Sequence, residues 1–327
     1  MITISKINGY NNRVKVILII LTYIINNRRK YILIEELKTF ISVVEFKNFT
    51  KAAKYLNLSQ PSVSNHIKNL ERYFDTKIID RSIKQKNIYI TENGEILYKR
   101  AKEILNLLDM TMGELHNTKS NVEGHLKIGA SLTIGEYILP NFLKNFCSKY
   151  PNVQIEVLIE NTKSICDKLS NISLDIGLVE GTVSSPNLNQ TYFYEDKMVL
   201  AMPYNIEIDE DNFSLDLLKN YNWIGREKGS GTREYLDIYL NSSKIQPKNI
   251  MVFGSNYAVK EAVKNNIGIT IISNLIAYPS YLNKELKILT LDNNFTRNFS
   301  YILANNITHS KASDLFIKEL KDFVLTL

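Results

Sequence analysis

Residues 49–81 read FTKAAKYLNLSQPSVSNHIKNLERYFDTKIIDR and decide the first part of the fold. Thr50 is the predicted N-cap of one short helix. Ser59 caps the next helix, with Pro61 in its first turn, where a missing N–H does no harm. The predicted buried stripe of this second helix is Val63, Ile67, Leu70 and Phe74. Short polar side chains remain on its outer face, as a helix entering the DNA major groove requires.

A basic wing is predicted after these helices. Residues 78–90 indicate two short strands around Lys84–Asn87, and Arg81 and Lys86 can reach phosphate or the minor groove. With a first helix from Ile34, residues 34–91 form a predicted winged helix-turn-helix domain. Ser62, Ser64, Asn65 and His66 are assigned to bases, and Gln60, Arg81, Lys84 and Lys86 mainly to the backbone. The predicted DNA-binding set is Ser59, Gln60, Pro61, Ser62, Ser64, Asn65, His66, Lys68, Arg81, Lys84 and Lys86.

The charge distribution supports a small basic module on a larger acidic one. The chain has 40 Lys and Arg against 34 Asp and Glu, a net charge of +6. Residues 1–33 contain six basic and no acidic residues and therefore account for that whole excess. Residues 34–91 carry +4 and residues 92–327 carry −4. This asymmetry fits a DNA-binding domain joined to a second functional part.

Residues 1–33 form a leader of doubtful relevance to the fold. Its apolar run Val16–Ile25 is ten residues long, and a membrane span needs about 20. No small-residue cleavage site follows, and Arg28-Arg29-Lys30 stands there instead. Three interpretations stay open, in order of preference: a translated upstream region, an extra packing helix and a membrane anchor. No membrane partner is predicted for the folded part.

A long helix is predicted after Thr91, across residues 92–118. Its apolar positions alternate in steps of four and three, which favours pairing with a second copy of the chain. An ordinary amphipathic helix is the alternative. The seam is Leu97, Ala101, Ile104, Leu108, Thr111 and Leu115. The polar segment 118–124 then indicates a linker.

Strand and helix patterns alternate from residue 124 to the end, which predicts a largely parallel sheet with helical crossovers. Two similar halves indicate two α/β lobes around a cleft. We assign residues 124–195 and 272–327 to lobe I and residues 196–271 to lobe II. Ligands of such sheets bind at helix starts beyond the strand ends.

Two segments between a strand and a helix are the candidate ligand site. Ser131-Leu-Thr133 and the run from Arg226 to Arg233, REKGSGTR, offer hydroxyls and free N–H groups at helix starts. Either arginine can bind an oxyanion bidentately. Simple helix capping is the alternative. The predicted effector-binding residues are Ser131, Thr133, Glu180, Arg226, Ser230, Gly231, Thr232 and Asn256.

The remaining chemistry-bearing residues do not indicate an enzyme or a metalloprotein. Cys147 and Cys166 have no second pair, which favours two reduced thiols in the cytoplasm. The four histidines lack metal-ligand spacing. Ser230 is a conceivable nucleophile, but the sequence shows no His–Asp partnership for it.

The stretches FTKAAKYLNLSQPSVSNHIKNLE, IIDR and TENGEILYKRAKEIL resemble the N-terminal signature of LysR-type transcriptional regulators, and the likeness runs from about Ile34 to the end. REKGSGTR is most similar to the CysL/CbbR-like subgroup. The resemblance implies a periplasmic-binding-protein-like effector domain, a helix that pairs subunits, tetramers and a small-molecule co-inducer without a cofactor. RNA polymerase is a candidate partner. Asn65 departs from the family pattern, in which Gln or Arg is more usual.

These observations predict a regulator that binds double-stranded promoter DNA and is switched by a small anionic metabolite between two lobes. A sulfur-containing anion is one candidate effector, and a metabolic carboxylate or phosphate ester is the other. A stand-alone solute-binding protein is the alternative function.

Overall fold

The computed structural model describes residues 33–81, 88–116, 122–206, 215–291, 295–305 and 309–326. The chain divides into two compact units, Met1–Asp109 and Met110–Leu327. The predicted leader, with its apolar run Val16–Ile25, lies outside the described residues. None of the described helices is long and apolar enough to cross a membrane.

The N-terminal unit consists of helices and one short hairpin. Phe40, Ala52, Val63 and Ile67 bring its helices together in one buried core. The hairpin strands are antiparallel, with Ile79 opposite Ile90. The elements are α1 (33–46), α2 (Phe49–Tyr55), α3 (Gln60–Tyr73), β1 (Ile79–Arg81), β2 (Ile88–Ile90) and α4 (Glu92–His116).

The helix boundaries of this unit correct two predictions. Asn48, not Thr50, caps α2, because its side-chain oxygen accepts hydrogen bonds from the N–H groups of Thr50 and Lys51. Ser59 caps α3 as predicted. Phe74 is 41% exposed instead of buried. The reason is that α3 ends at Tyr73 and the chain turns at Asp75, whose φ is 50°.

The C-terminal unit is built from two α/β lobes. Lobe I contains β3 (Gly124–Ala130), α5 (Leu132–Tyr137), α6 (Leu139–Lys149), β4 (Val153–Ile159), α7 (Thr162–Ser170), β5 (Ile176–Glu180) and α11 (Lys311–Val324). Lobe II contains β7 (Trp223–Arg226), α8 (Gly231–Ser242), β8 (Ile250–Phe253), α9 (Asn256–Lys264), β9 (Thr270–Ser273), α10 (Asn274–Leu282) and β10 (Leu286–Thr290). The strands β6 (Leu188–Pro203) and β11 (Thr296–Ala304) connect them, and a 3₁₀ turn, Leu215–Asn220, precedes β7.

The long strand β6 belongs to both lobes. Its first part pairs with β11 from Leu188 to Lys197, and its second part pairs with β9 and β10 from Met198 to Pro203. The order in lobe I is β6-β11-β5-β3-β4. Because β10 pairs with β6 in lobe II, the predicted return to lobe I at residue 272 is about 20 residues too early. The return runs through β11 instead.

Each lobe has its own core. Phe142, Phe146 and Phe316 pack together in lobe I, with the Phe142 and Phe316 ring centroids 4.9 Å apart. Trp223 is fully buried in lobe II and donates its indole N–H to the Leu218 carbonyl at 3.1 Å. The strand ends that carry the candidate site are therefore fixed by packed side chains behind them.

Gly94, in the first turn of α4, allows a close approach to the β1–β2 hairpin. A Cβ at this position would overlap the Ile78 carbonyl oxygen and lie 2.7 Å from Cγ2 of Ile90. Gly94→Ala should therefore destabilise the N-terminal unit by about 1–3 kcal/mol in thermal or denaturant unfolding. This is expected even though alanine has a higher helix propensity than glycine at a position without steric overlap. Gly254→Ala is the control, since its Cβ would meet no atom within 4 Å. Equal effects of the two substitutions would contradict this packing argument.

Candidate functional site

One face of α3 is buried and the opposite face is open. Val63 and Ile67 lie in the core, whereas Asn65 and Lys68 are exposed. The Ser59 hydroxyl accepts a hydrogen bond from the Ser62 N–H at 3.2 Å, which fixes the start of the helix. The predicted DNA contacts that are exposed or half-buried here are Ser59, Gln60, Pro61, Ser62, Ser64, Asn65, His66 and Lys68. The open face therefore carries the polar groups that the sequence assigned to it.

His66 is attached to α1 through one side of its ring. Its Nδ1 lies 2.8 Å from Oγ1 of Thr39, and the Thr39 hydroxyl donates to the Glu35 carbonyl at 2.7 Å. Because that hydroxyl proton is already donated, Nδ1 of a neutral ring must donate to Thr39. The fold thereby orients the His66 ring, and in the neutral ring Nε2 is the acceptor.

Of the predicted wing, the structure describes the two strands. β1 ends at Arg81 and β2 begins at Ile88. The predicted backbone contacts Lys84 and Lys86 lie outside the described residues. The hairpin register is nevertheless defined by the Asp80–Tyr89 pair.

The apolar seam of α4 divides into two parts. Leu97 and Ala101 are buried in the core of the N-terminal unit, so they are committed to that fold. Further along the seam, Ile104, Leu108 and Leu115 are 49%, 37% and 76% exposed. The later turns of α4 therefore present the seam residues that are free for subunit pairing, whereas Leu97 and Ala101 are not available for it.

Two buried hydroxyl groups mark the facing helix starts of the lobes. Ser131 precedes α5 in lobe I, and Ser230 precedes α8 in lobe II. Neither side chain caps its helix. Both Oγ atoms are buried and have no hydrogen-bond partner among the described residues. Simple capping thus does not account for these serines.

Arg297 on β11 connects the two lobes. Its Nη2 donates to Thr133 Oγ1 of lobe I and its Nη1 to Thr232 Oγ1 of lobe II, both at 3.0 Å. Its Nε donates to Asp196 at 2.7 Å, and Nη2 lies 2.9 Å from Oε2 of Glu180. The side chain is fully buried. One guanidinium group therefore connects β6 and β11, the two strands that run between the lobes, to the starts of α5 and α8.

A second buried arginine extends this network. Arg226 Nη1 donates to Asn256 Oδ1 at 2.7 Å, and Asn256 Nδ2 donates to Thr133 Oγ1 at 3.1 Å. Arg226 is 1% exposed and Asn256 is fully buried. Thr133 thus accepts hydrogen bonds from both Asn256 and Arg297. It belongs to the framework that holds the site in position.

Glu180 lies against the start of α8. Thr232 donates to its Oε1 at 3.3 Å, and a Cβ on Gly231 would lie 2.5 Å from Glu180 Cγ. Glycine is therefore required for this close approach of the two lobes.

Beside Gly231, a groove of about 720 Å³ runs between α7 and α8 and reaches Ser230 and Gly231. Ligand pockets in proteins have similar volumes.

The buried charges shift each other's proton affinity. Burial raises the pKa of the Asp196 carboxyl, and Arg297 and the Ser273 hydroxyl oppose that rise. Burial alone lowers the pKa of Arg297, but the carboxylates of Glu180 and Asp196 outweigh it and raise the pKa. Arg297 therefore stays protonated and neutralises part of the charge of its two partners.

The structure joins most of the predicted effector residues. Thr133, Glu180, Arg226, Thr232 and Asn256 belong to one hydrogen-bonded network, which Ser131, Ser230 and Gly231 adjoin at the helix starts. Sequence reasoning missed Arg297, Asp196 and Ser273, whose hydroxyl donates to Asp196 at 2.6 Å. Arg233 is directed elsewhere, to Asp237 at 2.8 Å and the Arg226 carbonyl. Within the described ranges, no cluster of His, Cys, Asp and Glu could hold a metal ion.

Comparisons with known families agree with both units. Residues 34–95 match the family model "Bacterial regulatory helix-turn-helix protein, lysR family", and residues 119–324 match "LysR substrate binding domain". The chain is 42% identical to the HTH-type transcriptional regulator CysL of Bacillus subtilis over 87% of this chain and 95% of the relative. It is 32% identical to a probable RuBisCO transcriptional regulator of Phaeodactylum tricornutum, over 88% of this chain and 96% of the relative.

Solved structures show the same fold. A full-length OxyR variant from Pseudomonas aeruginosa matches with a TM-score of 0.69 at 18% identity, over 89% of this chain and 94% of that one. The CcmR regulatory domain of Synechocystis, solved in complex with 2-PG, matches with a TM-score of 0.58 at 24% identity. That match covers 62% of this chain and 98% of the other.

The chain belongs to the LysR family of bacterial transcriptional regulators. It is a DNA-binding regulator with an effector-binding domain and not an enzyme, as the sequence predicted. The alternative of a stand-alone solute-binding protein is not supported, because the helix-turn-helix match accounts for the N-terminal unit. The predicted likeness to CysL and to RuBisCO regulators is confirmed.

Replacing Arg297 tests the buried network. Arg297→Met leaves Glu180 and Asp196 without their counterion, which should cost about 3–5 kcal/mol of unfolding free energy at neutral pH. Burial raises the pKa of the Asp196 carboxyl, and the variant lacks the guanidinium that opposes this rise. The pKa of Asp196 then lies above that of an unfolded aspartate, near 4, so stability is present at acid pH and is lost as the pH rises. The deficit measured by denaturant unfolding should therefore be larger at pH 8 than at pH 5.

The control for this experiment removes the stranded charges. Arg297→Met combined with Glu180→Gln and Asp196→Asn should flatten the pH dependence and recover part of the lost stability. A deficit that is the same at both pH values would contradict the assigned ion pairs.

Proposed function

We propose that a small anionic metabolite binds between the two lobes and switches promoter engagement by the N-terminal unit. The observation that carries this proposal is the pair of buried hydroxyl groups on Ser131 and Ser230, which have no partner among the described residues. Buried polar groups are normally hydrogen-bonded, so a ligand with acceptor oxygens satisfies both. The N–H groups at the start of α8 add a favourable dipole.

The effector contacts of this proposal are the residues named from the sequence. Ser131 and Ser230 donate to the ligand, and the Gly231 and Thr232 N–H groups are directed at it. Arg226 supplies the formal charge. Thr133, Glu180 and Asn256 hold the lining in position through the Arg297 network.

Two effector classes fit these groups. A sulfur-containing anion is the first, supported by the similarity to CysL, and a metabolic carboxylate or phosphate ester is the second, supported by the likeness to a regulatory domain that binds 2-PG. Both present oxygen acceptors to hydroxyl and N–H donors. A panel of sulfite, sulfate, thiosulfate, O-acetylserine and phosphoenolpyruvate separates the classes.

On DNA, α3 enters the major groove with Ser62, Ser64, Asn65 and His66 at base edges. The oriented Nε2 of His66 then accepts from a base amino group. The remaining DNA-contacting residues, which mainly touch phosphates or position the helix, are Ser59, Gln60, Pro61, Lys68, Arg81, Lys84 and Lys86. Such contacts fix register without reading sequence.

The switch in this proposal is a change of quaternary geometry. Two copies pair through α4, whose exposed apolar side chains include Ile104, Leu108 and Leu115, and two dimers form a tetramer. The ligand favours one angle between the lobes and thereby one arrangement of the DNA-binding units. The site of action is promoter DNA in the cytoplasm, with RNA polymerase as a further partner.

Removing both unpartnered hydroxyls tests the effector site. Ser131→Ala with Ser230→Ala breaks no hydrogen bond of these side chains in the described residues, so the fold should persist. A ligand at about 100 times its Kd stabilises a protein by about 2.7 kcal/mol. The variant should lose this ligand-dependent stabilisation in thermal unfolding with the five-compound panel, while its DNA affinity stays within about threefold. Normal stabilisation in the double variant would exclude these serines from the site.

Ser62→Asp tests the recognition helix. An acidic residue in the first turn favours the helix, so any loss of binding does not arise from unfolding. The added charge is repelled by DNA, and specific binding in a gel-shift assay should fall by about 100-fold or more. Ser148→Asp is the control, because it makes the same charge change at an exposed position of α6. Unchanged binding by Ser62→Asp would contradict the assignment of α3.

A further inference from the structure

The carboxylate of Glu227 is a partly exposed neighbour of the cleft network. Its two oxygens accept hydrogen bonds from Nε and Nη2 of Arg226, each at 2.8 Å. This is the bidentate arrangement in which arginine binds carboxylate and other oxyanions. The arginine is 1% exposed, whereas the glutamate side chain is 30% exposed. A buried, fixed guanidinium group is thus paired with a carboxylate that borders on solvent.

The same carboxylate touches the opposite lobe. Asn161 at the start of α7 donates from Nδ2 to Glu227 Oε1 at 3.1 Å. The other side-chain atom of Asn161, Oδ1, accepts from the Ser164 N–H at 3.0 Å and caps α7. The cap fixes the amide, so Nδ2 is directed at one place, the oxygen now supplied by Glu227. Arg226 of lobe II and Asn161 of lobe I therefore converge on one anion.

We propose that Glu227 is a tethered occupant of an oxyanion subsite, and that the anionic group of the effector takes its place between Arg226 and Asn161. This inference rests on the proposed function, since it names the chemistry of the same ligand. The ligand group must carry at least one negative charge and two oxygens spaced like those of a carboxylate, sulfonate, sulfate or phosphate. Glu227 then turns to solvent.

Charge balance explains why only an anion completes this exchange. A neutral ligand that displaced Glu227 would leave the buried guanidinium of Arg226 without a hydrogen-bonded counterion, since its remaining side-chain hydrogen-bond partner among the described residues is the neutral amide of Asn256. An anion restores the bidentate pair and the Asn161 hydrogen bond at once. The exchange keeps a bidentate anionic partner on the arginine, so it selects for charge and shape together.

The position of Glu227 next to Arg226 in the chain also sets the affinity for the effector anion. Glu227 is adjacent to Arg226 in the chain, so its effective concentration at the guanidinium is high, and any ligand must compete with it. Burial alone raises the pKa of Glu227, but the hydrogen bonds from Arg226 and Asn161 outweigh burial and lower it. The carboxylate is therefore charged, and competes, at neutral pH. Because Glu227 competes for Arg226, the wild-type chain binds anions weakly and does not respond to low concentrations of common anions.

The test compares sulfate binding by the full-length wild-type chain and Glu227→Gln. The amide has the same length but no charge, so it competes poorly for Arg226. Sulfate is titrated by calorimetry and by thermal unfolding, against sodium chloride at equal ionic strength to remove screening effects. We expect Glu227→Gln to bind sulfate at least about tenfold more tightly than the wild-type chain, which is about 1.4 kcal/mol.

Glu136→Gln is the matched control. Burial raises the pKa of Glu136 and Arg226 opposes it, so this carboxyl senses the same arginine without a hydrogen bond to it in the described contacts. Its neutralisation should change sulfate affinity less than about threefold. Equal gains in both variants would show a general charge effect and would overturn the inference. No gain in Glu227→Gln would overturn it as well.

These outcomes are separate from those of the serine experiment. If the wild-type chain responds to the metabolite panel and Glu227→Gln gains nothing, the proposed function stands and the tethered occupant is wrong. If Glu227→Gln gains sulfate affinity but no panel compound stabilises the wild-type chain, the oxyanion subsite exists and the proposed effector switch fails.

Discussion

Arg297 holds a fully buried positive charge at the point where the chain crosses between the lobes. Its Cα is the cross-strand partner of Asp196 in the β6–β11 pair, so the register of two long strands places the ion pair. The carboxylate of Glu180, at the end of β5, is added from lobe I. Removing such charges from water is costly, and the pairing offsets the cost only when every group is satisfied. The register, the strand ends and both helix starts must therefore be correct together.

The chemistry of the cleft follows from this neutralised centre. Arg226 and Arg297 are buried, but protein carboxylates and the amide of Asn256 already occupy them. The groups left over are neutral, namely the hydroxyls of Ser131 and Ser230 and the N–H groups of a helix start. In the proposed site, an anion therefore meets placed dipoles at these neutral groups and reaches the charge of Arg226 only by displacing Glu227. Such a site needs a close fit, and Gly231 permits that fit by letting α8 approach Glu180.

The sequence predicted what depends on local spacing. The cap at Ser59, the buried stripe Val63–Leu70 and the helix starts after Ser131 and Ser230 are all encoded within a few residues. Arg297 was missed because its partner Asp196 is 101 positions away, and TRNFS carries no motif around it. The lobe return at residue 272 was misplaced for a related reason. The sequence of the strand Thr270–Ser273 would suit a buried strand of either lobe. Only its pairing with the second part of β6 assigns it to lobe II.

A regulator of this kind needs one part of its cleft to stay fixed and another to move. At the crossing strands, the network of Arg297 is fully buried and multiply bonded, so opening it would leave several charges unpaired. At the rim, the lobes touch through single hydrogen bonds, from Asn161 to Glu227 and from the Lys163 N–H to the Gly229 carbonyl. Each is worth about 0.5–1.5 kcal/mol, which a ligand can easily replace. In the proposed switch, ligand binding therefore acts on the rim, and the crossing strands are the pivot.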